Sequence, residues 1–485
     1  MNVDEETLDP ENWNELKALG HKMIDDMMDF LKDIRDQPVW QPMPSEVKSS
    51  FRSSIPQKGM SRDQIYEDFK RNVLHYGNGN VHPRFWGWVM GTGTPFGVLA
   101  DMLASSINPN VGGFEQAPSY VETQVIEWAK EMLDYDKDAS GVLASGGSMA
   151  NLIGLIVARN IKAGYDIIRE GVKASNKDLI YYGSTETHSS LDKAIQVLGI
   201  GLNFYRKIPV LPTYQIDTVK LREVIEADID AGLKPTCLIG TAGTVNTGAI
   251  DDLNVLADLA EEFDIWFHVD GAFGALCKLS PKAKHLVDGL ERADSIAFDY
   301  HKWMYLPFDA GCVLVKRRKD HYRALNLSAD YIVHEPGGRG TAGGEVWYSD
   351  YSIELTRSFR ALKVWMAIKE HGVEKYGRLI EQNINQAKFL ASLIEEEKYL
   401  ELLAPTSMNI VNFRYNDGVR TNDQLNEINH EIVLQLHEKG LAIPSGTTLR
   451  GKYAIRAAVT NHRSQKDDFT FLVKQILHLV DSIKQ

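Results

Sequence analysis

Cysteine is scarce in this chain of 485 residues, which has only Cys237, Cys277 and Cys312. No two of them form a C-x-x-C motif, so the spacing argues against both a disulfide framework and a zinc site. A chain with so few thiols suits a reducing compartment. We therefore expect a cytoplasmic protein without a metal centre.

Positive charge is also in short supply, since 53 Lys and Arg stand against 66 Asp and Glu, and the net charge is −13. Proteins that bind nucleic acids or anionic membranes present a basic face to phosphate groups, so this balance argues against both partners. No apolar run reaches the roughly 18 residues typical of a transmembrane helix. The N-terminus MNVDEETLDP is acidic and polar, unlike a signal peptide.

Three segments of different texture divide the chain. Residues 1–84 form an N-terminal extension in which Asp9-Pro10 reads as the N-cap and first position of an amphipathic helix. The apolar stripe of that helix must be buried, and we expect it to pack on a partner subunit. Residues 85–360 alternate short apolar runs with helical stretches, which predicts an α/β domain with a mostly parallel sheet. The pattern of residues 361–485 predicts a small C-terminal α+β domain.

Ionisable residues follow two of the predicted strands. Asp270 ends the apolar run IWFHVD, and Asp299, His301 and Lys302 follow the run SIAF. Ligands bind beyond the carboxyl ends of parallel strands, so these groups are expected at one edge of the sheet. A buried carboxylate needs a cationic partner, and a desolvated lysine gains the lowered pKa that a nucleophile requires. The alternatives are a helix cap for Asp270 and a surface charge for Lys302.

Small residues precede the helical run SMANLIGLIVARN. Gly146 and Gly147 allow close approach of a ligand, and Ser148 with the first N–H groups of the helix can bind an anion. A plain serine-capped helix is the alternative. His188, in STETHSSLDKA, is either structural or an aromatic face for a flat cofactor. Phosphate site, carboxylate, ring and amine together predict pyridoxal 5′-phosphate (PLP).

These motifs resemble those of the group II PLP-dependent amino-acid decarboxylases of the aromatic-L-amino-acid decarboxylase type, over essentially the whole chain. The stretches that carry the resemblance are DYHKW, GSMANL, THSSLDKA, GTVNTGAIDDL, HVDGAFG and RSFRALKVW. The resemblance implies PLP fold type I (aminotransferase-like) and a homodimer with shared active sites. Asp299, where animal members carry asparagine, indicates the bacterial branch.

The resemblance also implies roles for individual residues. Lys302 is expected to form the Schiff base with PLP, Asp270 to bind the pyridine nitrogen, and His188 to stack on the ring. Tyr331 matches the tyrosine of the family's mobile catalytic loop, which corresponds here to the glycine-rich run 332–347. The further cofactor contacts that it implies are Gly147, Ser148, Thr244, Ala272, Asp299 and His301.

The implied reaction is decarboxylation of an aromatic L-amino acid (tryptophan, tyrosine, phenylalanine or a related one) to the amine and CO2. Oxidative aldehyde synthases of the family carry a substitution at Tyr331 or His188, and this chain keeps both residues. An aldehyde synthase, a transaminase and a decarboxylase of a non-aromatic amino acid remain as alternatives. A pseudoenzyme is disfavoured because Lys302 and Asp270 are present. The predicted substrate pocket consists of Trp86, Trp88, Met90, Asn110, Gly112, Phe308 and Thr356.

Overall fold

The computed structural model describes residues 6–174, 177–326 and 338–483. Strands in these ranges are β1 (Phe85–Trp86), β2 (Ser140–Ala144), β3 (Leu179–Ser184), β4 (Tyr205–Ile208), β5 (Lys234–Thr241), β6 (Trp266–Asp270), β7 (Ser295–Asp299), β8 (Gly311–Val315), β9 (Leu400–Leu402), β10 (Ile410–Tyr415), β11 (Ile443–Leu449) and β12 (Lys452–Ala458).

Helices in the same ranges are α1 (Trp13–Lys32), α2 (Ser45–Ser50), α3 (Arg62–Asn72), α4 (Pro95–Ile107), α5 (Ala117–Met132), α6 (Gly147–Lys162), α7 (Ile167–Glu170), α8 (Ser189–Val197), α9 (Thr218–Asp230), α10 (Leu253–Glu262), α11 (Tyr300–Trp303), α12 (Arg318–Leu325), α13 (Ala361–Glu396), α14 (Asn422–Glu438) and α15 (Lys466–Ile483). Of these described helices, none has both the length and the apolar character needed to cross a bilayer.

A seven-stranded sheet in the order β2-β8-β7-β6-β5-β3-β4 forms the centre of the large domain. Strands β7, β6, β5, β3 and β4 pair in parallel, and β8 runs antiparallel to both β2 and β7. Nearly every residue of these strands is buried, because helices such as α6 cover the sheet, and this explains the continuous apolar runs in the sequence. The predicted α/β class and mostly parallel sheet are confirmed.

The N-terminal extension begins its first helix later than the sequence predicts. Asn12, not Asp9, is the N-cap, because its side-chain oxygen accepts hydrogen bonds from the N–H groups of Asn14 (3.0 Å) and Glu15 (3.4 Å). No residue of α1 is buried within the subunit. Its apolar stripe is therefore only partly covered by the described part of this chain, as where Phe30 packs edge-on against the ring of His75.

The C-terminal sheet has the order β1-β11-β12-β10-β9, and its first strand comes from a distant part of the chain. β1 pairs in parallel with β11. Trp86 is therefore fully buried in this layer, where it stacks on Phe469 at 4.8 Å and donates a hydrogen bond to Ser464 Oγ (3.0 Å). The prediction that Trp86 lines the substrate pocket is wrong, because its strand belongs to the C-terminal core.

Candidate active site

A cavity of about 460 Å³ opens where β2, β5, β6 and β7 end. These four strands run in the same direction, so the loops that follow them meet at one edge of the sheet. The residues singled out from the sequence that line this cavity are Trp88, Met90, Gly146, Gly147, Ser148, His188, Asp270, Ala272, Asp299, His301, Lys302 and Phe308.

Lys302 lies on the short helix α11, directly after β7. Its Nζ is 3.1 Å from Oδ2 of Asp299, the last residue of that strand. The lysine side chain is 21% exposed, whereas the aspartate side chain is 1% exposed. The amine therefore reaches the cavity while a buried carboxylate balances its charge.

The Asp299 carboxylate packs under the N-terminus of α6. A Cβ on Gly147 would lie 2.9 Å from Asp299 Oδ2, and one on Gly311 would lie 2.8 Å from Oδ1, so both positions need glycine. His301 Nε2 is 3.7 Å from Oδ2, and Oδ1 is buried without a hydrogen-bond partner. The carboxylate is thus only partly satisfied, which is costly for a buried charge.

Asp270 is the buried carboxylate at the end of β6. Its Oδ1 accepts a hydrogen bond from the N–H of Ala272 (3.1 Å). Burial raises the pKa of Asp270, while the positive charge of Lys302 opposes that rise. A cationic group of a ligand in the cavity would therefore stabilise the ionised form of this buried carboxylate.

His188 is the N-cap of α8, and this role fixes its ring. Nδ1 accepts a hydrogen bond from the N–H of Ser190 (3.2 Å) and lies 2.8 Å from the Ser190 hydroxyl. Burial lowers the pKa of His188, partly against the effect of Asp270. The neutral ring consequently carries its proton on Nε2 and borders the cavity with an uncharged aromatic surface.

The loop after β5 reaches the cavity through residues other than Thr244. The Thr244 hydroxyl is buried and lies 3.0 Å from Thr247 Oγ1, whereas Gly243 and Val245 line the cavity. Arg456 of β12 donates a hydrogen bond from Nε to the carbonyl of Asn246 (3.1 Å), and so ties this loop to the C-terminal sheet. Thr244 shapes the loop and Arg456 anchors it.

Three predicted pocket residues lie elsewhere in the subunit. Asn110 Oδ1 accepts hydrogen bonds from the N–H groups of Gly112 (3.0 Å) and Arg357 (2.9 Å), next to the exposed Thr356. None of Asn110, Gly112 and Thr356 is among the described residues that line the cavity. Tyr331 and residues 332–337 of the predicted loop lie outside the described residues.

Sequence reasoning missed several cavity residues, among them Asn151, Val245 and Phe273. For Asn151 a signal was present, because it is an asparagine inside the apolar helical run and lies three residues after Ser148, on the same face of α6. Arg456 gave no comparable signal, since the loop carbonyl groups to which it donates lie more than 200 positions earlier in the chain.

The residues around the cavity fit PLP. No side chain caps the N-terminus of α6, where Gly146 has a φ of 150°, so the first N–H groups and the exposed Ser148 are open to an anion. Asp270 offers a buried carboxylate for a protonated ring nitrogen, and Lys302 offers an amine for the aldehyde.

Comparisons with known proteins agree with this fit. The family model described as the pyridoxal-dependent decarboxylase conserved domain matches residues 44–416. An aromatic-L-amino-acid decarboxylase of Bacillus atrophaeus is 33% identical over 97% of this chain and 96% of its own length. A phenylacetaldehyde synthase of Petunia hybrida is 29% identical over 93% and 91%.

A solved structure confirms the fold. The crystal structure of Oryza sativa TDC with PLP and tryptamine is similar with a TM-score of 0.90 and 25% identity, covering 99% of this chain and 100% of the other. The expected fold type I, the cofactor PLP and the decarboxylase class are thereby confirmed. The chain belongs to the family of pyridoxal-dependent decarboxylases.

Proposed function

We propose that this enzyme converts an aromatic L-amino acid to the corresponding amine and CO2. The observation that carries the proposal is the joint presence of Lys302, Asp270 and His188 at one cavity that is also lined by Trp88 and Phe308. The two aromatic side chains are each 50% exposed, so both have free surface for a substrate ring. The names of the bacterial and rice relatives support the same substrate class.

The chain's own residues divide the work in this proposal. Ser148 and the N–H groups of α6 bind the phosphate, with His301 beside them, and His188 stacks on the ring. Asp270 holds the proton of the ring nitrogen, and Lys302 supplies the amine that binds the cofactor and later displaces the product. PLP, when bound, delocalises the electron pair left on the substrate Cα as CO2 departs.

Acidic substrates fit this cavity less well than aromatic ones. Among the described residues that line it, Lys302 is the sole lysine or arginine, and Asp270 and Asp299 already face it. A second substrate carboxylate would be desolvated without a cation of its own. The test is CO2 release from PLP-loaded enzyme with the twenty amino acids, dopa and 5-hydroxytryptophan. Activity on glutamate above that on every aromatic acid would overturn the proposal.

An oxidative aldehyde synthase is the second candidate, because a relative of that name aligns over nearly the whole chain. We assign Tyr331 as the group that protonates the substrate Cα and so favours the amine. Replacing Tyr331 with phenylalanine should shift the product from amine toward aldehyde with consumption of O2. An unchanged amine yield in Tyr331→Phe would contradict that role, and aldehyde from the unmodified enzyme would favour the synthase.

The proposed unit is a homodimer in which each subunit completes the other's pocket. Exposed apolar side chains on α4 and beside Thr356 form apolar surface patches, which are typical of protein–protein interfaces. They are Phe96, Val98, Met102, Leu103 and Ile107 on α4, with Ile353 and Leu355 next to Thr356. The partly exposed stripe of α1 supports the same arrangement, with residues 1–84 packed on the partner.

Subunit complementation tests the shared site. Lys302→Ala subunits lack the amine, and Asn110→Trp subunits carry a bulky residue where the partner's pocket is proposed to lie. Each variant alone should be inactive, yet an equal mixture should recover about a quarter of wild-type activity, because half of the dimers then hold one intact site. A mixture that stays inactive, or an active Asn110→Trp enzyme, would contradict sharing.

A cytoplasmic location completes the proposal. All three cysteines are free and buried, which suits a reducing compartment. Cell fractionation with a specific antibody tests it, and recovery of the enzyme outside the cytoplasmic fraction would contradict it.

A further inference from the structure

A row of buried polar side chains runs beneath the cavity to Asp270. His268 lies two residues before Asp270 on β6 and is fully buried, as is its strand neighbour Ser295 on β7. The His268 ring lies 2.8 Å from Asn151 Oδ1 through Nε2, and 2.8 Å from Ser295 Oγ through Nδ1. Trp266 donates its Nε1–H to the same Ser295 oxygen, also at 2.8 Å.

In each hydrogen bond of this row, the donor is the residue farther from Asp270 and the acceptor is the residue nearer to it. Asn151 lines the cavity together with Asp270, and its side chain lowers the pKa of that carboxyl group against the effect of burial. An ionised Asp270 only accepts hydrogen bonds, so the Asn151 amide turns its N–H donors toward it. Asn151 Oδ1 then faces His268, whose Nε2 must carry the proton. Burial lowers the pKa of His268 to about 3, so the ring is neutral and its Nδ1 accepts from Ser295. Ser295 in turn accepts from Trp266.

Helix α6 accommodates the His268 ring because one of its residues is glycine. A Cβ on Gly154 would lie 2.7 Å from His268 Cε1, so α6 packs against the ring only with glycine at that position. The same helix presents Ser148 at its first turn and Asn151 one turn later. Burying four polar side chains in a sheet core is costly unless every one is hydrogen-bonded, and here each has a partner.

We propose that Asn151 and His268 are positioning residues that keep Asp270 ionised and aimed at the ring nitrogen of PLP. This inference rests on the role proposed above for Asp270. Without the donated hydrogen bond the carboxylate would become the better base, and the proton shared with the ring nitrogen would move toward Asp270. The ring would then withdraw electrons less strongly, although Lys302 and the phosphate contacts would be unchanged.

The test compares two probes that differ at one ring atom: PLP, and its 1-deaza analogue with carbon in place of the ring nitrogen. Dissociation constants are measured by fluorescence titration of the apo-enzyme. Replacing Asn151 with leucine should weaken PLP binding by about tenfold, the size of one hydrogen bond to a charged group, and change binding of the analogue by less than about twofold. His268→Leu should behave likewise, while His268→Gln, which retains an N–H donor, should restore PLP binding.

Equal weakening of both probes would show a packing role alone and overturn the inference, as would unchanged PLP binding in Asn151→Leu. The Asp270→Ala variant separates the inference from its premise, since it should lose the preference for PLP over the analogue. If Asp270→Ala keeps that preference, the proposed role of Asp270 fails first. Thermal unfolding of each variant identifies those that fold. If Asn151→Leu does not fold, the comparison of His268→Leu with His268→Gln decides, and equal PLP binding in these two variants would overturn the inference.

Discussion

The carboxylate of Asp299 lies 3.1 Å from the amine of Lys302, at the junction between β7 and α11. The same carboxylate packs against Gly147 at the N-terminus of α6, where a phosphate group is expected to bind. Asp299 thus stabilises the free amine and places a negative charge next to an anion site. Both effects disfavour cofactor loading.

Replacing Asp299 with asparagine should tighten PLP binding. The substitution removes a buried negative charge beside the proposed phosphate site, and we expect the dissociation constant to fall by about tenfold. Fluorescence titration of the apo-enzyme measures it. Asp192→Asn, at a half-buried position of α8 where the aspartate pairs with Lys207, is the matched control and should leave binding unchanged. Weaker binding in Asp299→Asn would contradict the repulsion.

Lys302→Ala should abolish turnover. The variant lacks the amine at the cavity, and we expect a loss of at least about three orders of magnitude in kcat. Borohydride reduction followed by peptide mass analysis should attach the cofactor at Lys302 in the wild type and at no site in the variant. Lys193→Ala, an exposed lysine on α8, serves as the control with normal labelling. Substantial activity in Lys302→Ala would refute the assignment.

The two tryptophans at positions 86 and 88 should have opposite phenotypes. Trp86 is buried against Phe469, so Trp86→Ala should lower the free energy of unfolding by about 3–5 kcal/mol. Trp88 lines the cavity and is half exposed, so Trp88→Ala should leave stability nearly unchanged and raise KM for aromatic substrates. Denaturant unfolding measures the stability of both variants, and steady-state kinetics measures their KM values. A stability loss shared equally by both would be inconsistent with the structure.

His321 should contribute to acid unfolding. Burial lowers its pKa from 6.5 to about 3, so between these pH values the unfolded chain binds a proton that the folded protein does not. Stability from this group is therefore present above pH 6.5 and lost as the pH falls. In His321→Gln the slope of unfolding free energy against pH between 4 and 6 should decrease by about 1.4 kcal/mol per pH unit. Denaturant midpoints across that range measure the slope, and an unchanged slope would exclude this contribution.

The sequence predicted the sheet and the cluster at its edge because both follow from local patterns. Asp270, Asp299 and Lys302 each come directly after an apolar run, and parallel pairing brings such positions together whatever the strand order. Their meeting at one cavity required no knowledge of long-range contacts.

Positions decided by long-range pairing were beyond that reasoning. Trp86 belongs to a two-residue strand, and only its partner β11 reveals which layer contains it. The direction of the hydrogen bonds through Asn151 and His268 likewise depends on how α6 packs over two strands. Asn110 and Thr356 lie away from the cavity of their own subunit, and only the dimer proposed above would bring them to an active site.

The pairing of β1 with β11 limits how this enzyme can be recombined with its relatives. A chimera joined at residue 361 would give the incoming C-terminal layer a foreign Phe85–Trp86 strand, and with it a foreign aromatic partner for Phe469. If that strand were omitted, β11 would become an open edge prone to intermolecular pairing. A transferable unit must therefore include both the segment around residue 85 and everything after residue 361.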